Sequence, residues 1–178
     1  WRPGSRSYAR VETVNGAPAR GVRIDSDHIV VPAEYMRVGA NRLRIAFASP
    51  IAVSGSGVTR YRDREDASDY VYSLLVPADA STVFPCFDQP DLKGRFTLAL
   101  DVPFAWQVVA NAPAASAQTT GGNQRKVVRF LESEPISTYL FAFAAGQFEI
   151  LTGSDGDATR VFVRRSRSAQ ARAETKEV

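Results

Sequence analysis

The side chains able to do chemistry are few and stand apart. The 178 residues include one histidine, His28, and one cysteine, Cys86. A two-histidine zinc site, a four-cysteine site and an intramolecular disulfide are therefore out of reach for this chain alone. His28 lies between Asp27 and Ile29, far from any Glu-x-x-His pattern, and reads as a surface or turn residue. Cys86 has no histidine within sequence reach and reads as a small packed side chain rather than a nucleophile. Asp63, Glu65, Asp66 and Asp69 cluster as cation ligands do. Arg62 and Arg64 alternate with them, however, and no EF-hand glycine follows, so a solvated loop neutralised by those arginines is expected. The run from Gly153 to Asp157 reads as a hairpin turn rather than a calcium loop. The run from Ser54 to Gly57 lacks the Lys-Ser/Thr and following helix of a phosphate loop.

The densest segment is Phe84-Pro-Cys-Phe-Asp-Gln-Pro-Asp-Leu-Lys-Gly-Arg-Phe96. Pro85 and Pro90 fix two φ angles, remove two backbone donors and push Phe84 and Gln89 towards extended geometry. Phe84 and Phe87 supply large apolar anchors. Asp88 and Asp91 can bond nearby backbone amides in Asx turns. The expected result is a stiff corner, too constrained in residue type to be a casual loop.

The elements that must position this corner show a period of two. Tyr8–Val14, Asn41–Phe47, Arg95–Val102, Lys126–Leu131, Thr138–Phe143, Phe148–Leu151 and Thr159–Val163 alternate apolar with polar residues, the pattern of half-buried strands. Asn15-Gly16, Val38-Gly39, Ser54–Gly57, Gly121–Asn123 and Gly153–Gly156 punctuate the runs. Antiparallel strands need only such short turns, so the fold class read here is all-β, a sheet or sandwich with little helix. Ala78–Val83 is expected to form one helical turn stopped by Pro85, and Ala112–Ala117 a loop. Residues 164–178 lose the alternation and become rich in Arg, Ala and Glu, with some helical propensity but only Val178 apolar beyond alanine. They read as a linker, or as a helix whose partner is absent.

Charge placement narrows the function classes. The net charge is +3, yet residues 1–163 hold 17 basic and 17 acidic side chains. The excess sits in residues 164–178, with five basic and two acidic side chains. A neutral body argues against nucleic acid, which selects a basic face on the fold. No run approaches the roughly 18 apolar residues that span a membrane, and no signal-peptide pattern is visible. The start at Trp1 rather than Met reads as a processed or excised chain. The lone Cys86 fits a reducing compartment and favours the cytoplasm, with removal of a leader as the other route.

The Phe84–Phe96 string closely resembles the FPCFD(E/Q)P-x-(L/M)-KA-x-F signature of the aminopeptidase N family of zinc metallopeptidases. Gly57-Val-Thr-Arg60, Tyr70-Val-Tyr72, Pro77-Ala-Asp-Ala80, Asn111, Ile136-Ser-Thr-Tyr-Leu140 and Gly146-Gln-Phe148 are similar to further stretches of that family, so the resemblance covers roughly residues 10–165. It implies an N-terminal β domain, saddle-like and twisted, with no catalytic residue of its own. Zinc and the G-x-M-E-N and H-E-x-x-H motifs would belong to a catalytic domain in a longer parent, and no cofactor is expected in this piece. The implied division is residues 1–163 as the β domain and 164–178 as linker or start of the catalytic domain. Implied partners are that catalytic domain and, in the parent, a peptide substrate. In family members two polar side chains reach from the β domain to hold the substrate α-amine; the matching positions here are Leu74 and Val76. These are the candidate substrate-binding residues, chemically altered because neither can accept a hydrogen bond from an ammonium group. The departure keeps open a pseudo-enzyme scaffold for protein assembly and, beyond it, a free-standing carbohydrate- or peptide-binding sandwich. An excised domain is also expected to expose a contiguous apolar patch near residues 70–90.

Overall fold

The computed structural model describes residues 1–2, 7–122, 124–152 and 160–174. Strands dominate, and every pairing among the described residues is antiparallel. The chain is all-β, with two short α-helices and a few 3-10 turns among the described residues. It divides into two compact units.

The first unit contains residues 1–58, 74–94 and 136–141. Its strands are β1 (Tyr8–Val14), β2 (Ala17–Pro18), β3 (Arg23–Asp25), β4 (His28–Val30) and β5 (Leu43–Ala48). They form a sheet in the order β2-β1-β5 and a separate β3-β4 hairpin. Asn15 and Gly16, both at positive φ, make the tight β1–β2 turn that the Asn-Gly pair favours. Val11 and Val14 close the core of this unit with Leu75 and Ala80. The helical turn α1 (Ala80–Val83) forms where expected and ends at Phe84, which is extended ahead of Pro85.

The second unit contains residues 59–73, 95–135 and 142–178. Three sheets build it from β6 (Val58–Arg62), β7 (Asp69–Ser73), β8 (Ala99–Pro103), β9 (Gln107–Ala110), β10 (Ala114–Thr120), β11 (Arg125–Phe130), β12 (Phe143–Gly146), β13 (Phe148–Thr152) and β14 (Arg160–Arg164). Their orders are β10-β11-β8, β6-β7-β12-β9 and β13-β14. Tyr70 is its largest buried side chain, 2% exposed, with the Phe148 ring 4.8 Å away. The helix α2 (Ser168–Glu174) follows β14 through a 3-10 turn.

Three local expectations change. Ala112–Ala117, read as a loop, mostly enters β10: pairing with β11 imposes strand geometry on small residues that lack strand propensity. The Arg95–Val102 strand begins only at Ala99. Ahead of it, the Phe96 N–H is held by the Ser133 hydroxyl rather than by a ladder partner. Thr138–Phe143 is not one strand but a 3-10 turn over Thr138–Leu140 followed by β12. The Ser137 and Thr138 hydroxyls bond to Pro90 and Asp88, and these contacts override the local alternation. The expected turn at residues 153–157 lies outside the described residues.

Candidate functional site

The candidate residues sit just beyond β7. Alternation continues past the strand, so Leu74 and Val76 face solvent at 62% and 54% exposure while Leu75 between them is 1% exposed. The Leu74 N–H donates to the Gly57 carbonyl at 2.9 Å and the Leu75 carbonyl accepts from Asp79 N–H at 2.9 Å. Gly57 sits tightly in this packing. A Cβ there would stand 2.6 Å from Val83 Cγ2, 3.0 Å from Leu75 Cδ2 and 3.2 Å from the Asp79 carbonyl. The Val76–Pro77 peptide is cis. Two branched apolar side chains thus project from a segment pinned on its other side.

The corner after α1 is held by bonds that reach far along the chain. Asp88 does not close an Asx turn. Its carboxylate accepts the Ser81 N–H at 2.9 Å and the Thr138 hydroxyl at 2.7 Å. Burial pushes the Asp88 carboxyl up, but the Ser81 and Thr138 donors outweigh it and hold the group below the usual carboxylate range. Phe84 packs edge-on against Phe141 at 5.4 Å. Gly94 and Ile136 exchange both backbone bonds at 3.0 Å. Ser81, Ser137 and Thr138 therefore complete the corner. The local pattern around Phe84–Phe96 carried no sign of this, because Ser137 and Thr138 stand more than 40 residues away.

Cys86 is half-buried, and its thiol is pushed up to about 11, first by burial and then by the Asp88 charge. It is a protonated thiol at neutral pH and a poor nucleophile. Cys86 and exposed His28 line one apolar hollow with Leu43, Ile45 and Phe87. Among the described residues no three His, Cys, Asp or Glu side chains gather as a metal site would need, so the described residues do not fit a zinc ion. The Ser54–Gly57 run leads into β6 rather than a helix.

The acidic loop corrects one expectation. Its close ion pairs are made with other arginines than Arg62 and Arg64, although the Arg62 charge also helps to lower the Asp69 carboxyl. Arg60 grips Asp69 bidentately at 2.9 and 3.0 Å. Asp63 pairs with Arg164 at 3.2 Å and Glu65 with Arg167 at 2.5 Å. Asp66 accepts the Ser68 N–H at 2.9 Å. Arg60, by its hydrogen bond first, lowers the Asp69 carboxyl. The four carboxylates are spent on separate local contacts and do not converge on a cation.

Other matched motifs have structural duties. The Asn111 carboxamide oxygen accepts the Ala142 N–H at 2.6 Å, tying the chain after β9 to the start of β12. The Ser73 hydroxyl accepts the Phe143 N–H at 3.0 Å. Gly146 lets β12 lie against β7, as its Cβ would stand 2.7 Å from the Asp69 carbonyl. Leu74, Val76 and Phe87 of the first unit are each exposed.

Known proteins match this pattern. Residues 11–140 match the family described as the peptidase M1 N-terminal domain. Aminopeptidase M1-A of Oryza sativa subsp. japonica is 30% identical over 161 residues, 87% of this chain and 18% of that protein. Probable M1 family aminopeptidase 2 of Encephalitozoon cuniculi is 38% identical over 94 residues, 52% of this chain and 11% of that protein. Aminopeptidase N of Streptomyces lividans is 29% identical over 137 residues, 76% of this chain and 15% of that protein. The chain spans less than a fifth of the length of these relatives. On the match over residues 11–140, which contains the Phe84–Phe96 corner and the Leu74–Val76 segment, the chain belongs to the peptidase M1 family as its N-terminal domain.

Proposed function

We propose that this domain forms one wall of the substrate cleft in a longer M1 aminopeptidase, and that it does so with Leu74 and Val76. The observation that carries the reading is the contrast within one short segment: Leu74 and Val76 open to solvent, Leu75 sealed at 1% exposure. Branched apolar side chains held outward at fixed positions suit a surface that something else covers. In this reading residues 1–163 act as the β domain and the chain from 164 onward leads into a catalytic domain. That domain supplies the zinc, the acid–base groups and the surface on which the β domain docks. Leu74 and Val76 would line the place where a peptide's N-terminal end lies, offering van der Waals contact and no acceptor for an ammonium group. Amine binding then falls to the catalytic domain.

The test uses the parent enzyme with zinc and a panel of aminoacyl amides. Leu74→Gln with Val76→Glu adds acceptors, and kcat/KM for free-amine substrates is expected to rise about tenfold or more, the effect of a hydrogen bond to a charged group. An unchanged kcat/KM would remove both residues from the cleft. A second reading, a scaffold without peptidase activity, is favoured by the same two apolar residues. A parent sequence lacking H-E-x-x-H and its downstream Glu would establish that reading instead.

A further inference from the structure

The sequence from Arg164 to Arg172 is basic and polar, and a seven-residue helix such as α2 does not persist in water by itself. Yet it meets a set of acceptors from distant parts of the second unit. The Arg164 guanidinium bonds Asp63 at 3.2 Å and the Tyr61 hydroxyl at 2.9 Å, and lies 5.3 Å over the Tyr61 ring. The Ser166 hydroxyl donates to the same Asp63 oxygen at 2.7 Å. The Arg165 N–H donates to the buried Tyr70 hydroxyl at 2.9 Å. Arg167 bonds Glu65 at 2.5 Å. Glu149 on β13 accepts from the Ser168 hydroxyl at 2.6 Å and from Arg172 at 2.8 Å.

Asp63 is the one carboxylate among the described residues counted as buried, at 3% exposure. Its other contact is the Glu65 N–H at 3.0 Å, which shapes the β6–β7 turn. A buried charge needs such company, and two of its three partners come from residues about a hundred positions later. The Asp63 carboxyl is held low by the Glu65 N–H first and the Ser166 hydroxyl next, and Glu149 is held low by Ser168 and then Arg172.

We infer that residues 164–172 are a strap clamped onto the second unit by Asp63, Glu65 and Glu149, an ionic latch rather than a free linker. The latch needs only this unit and stands whether or not the parent is an enzyme. Its consequence, that a following domain leaves from an anchored helix instead of a swinging tether, rests on the reading above.

Hydrogen–deuterium exchange of the 178-residue chain tests it. Peptides covering 165–174 are expected to exchange at least tenfold more slowly than the same sequence as a free peptide. Ser166→Ala together with Glu149→Gln weakens two of the three clamps, those at Asp63 and Glu149, and is expected to speed that exchange roughly tenfold, with β7 and β12 unchanged. Asp101→Asn breaks an exposed pair with Arg125 and is expected to leave the strap protected. Free-peptide rates in the native chain would overturn the inference. So would protection indifferent to the double variant, or equal opening in Asp101→Asn.

Discussion

Replacing Gly146 with alanine tests how tightly β12 is set against β7. The added Cβ would stand 2.6 Å from Tyr70 Cδ1, 2.7 Å from the Asp69 carbonyl oxygen and 3.0 Å from Tyr70 Cα. Two of those atoms are backbone, and the third belongs to a ring packed against Phe148 at 4.8 Å and Tyr61 at 6.3 Å. Restoring ordinary contact means moving one strand about 0.7 Å from the other, in a pairing that also carries β9 on the far side of β12. Overpacking a closed site costs about 1–3 kcal/mol, and rigid neighbours place this case near the upper end. Alanine regains up to about 1 kcal/mol by restricting the unfolded chain. The net expectation is a loss of about 2 kcal/mol, or roughly 4–8 °C in Tm for a chain of this size. Urea and thermal unfolding followed by far-UV circular dichroism measure it. Gly57→Ala is the comparison, since its two nearest clashes are with side-chain carbons of Val83 and Leu75 rather than with backbone. It is expected to lose less. A Gly146→Ala chain as stable as the native one, or a reversed order of the two variants, would refute the packing argument.

Two further outcomes follow from the corner. Asp88 has a folded-state pKa below its unfolded value, so its contribution is present above about pH 4 and fades as pH falls through the folded value. Asp88→Asn is expected to lower stability at pH 7 by about 1–2 kcal/mol and to converge with the native chain in acid; urea midpoints across the pH range check it, and a pH-independent gap would contradict it. Cys86, with its thiol pushed up to about 11, has on the order of one thiolate in a thousand at pH 8. Iodoacetamide is therefore expected to label the folded chain on the order of a hundredfold more slowly than the unfolded chain, and equal rates by mass spectrometry would refute the burial assigned to it.

By itself the sequence determined the class of fold, several of its strands and the family. Alternation is a local property, and β1, β5, β11, β13 and β14 stand where it recurs along the chain. The Phe84–Phe96 string was legible because prolines and aromatics constrain the backbone wherever the rest of the chain lies. The positions of Leu74 and Val76 came from the same string by spacing; their outward projection followed once Leu75 was buried. What the tertiary structure alone decided were partnerships across long separations. β10 is a strand only because β11 lies beside it. Thr138 leaves the strand pattern to reach Asp88, fifty residues away. Asp63 and Glu65 of the acidic loop pair with arginines of the tail, 101 and 102 residues away. Side-chain pattern reports which face a residue prefers. It carries no record of which distant donor will stand opposite a carboxylate once loop closure has brought the ends together, so the tail's charge looked like a surplus until the fold set Asp63 against it.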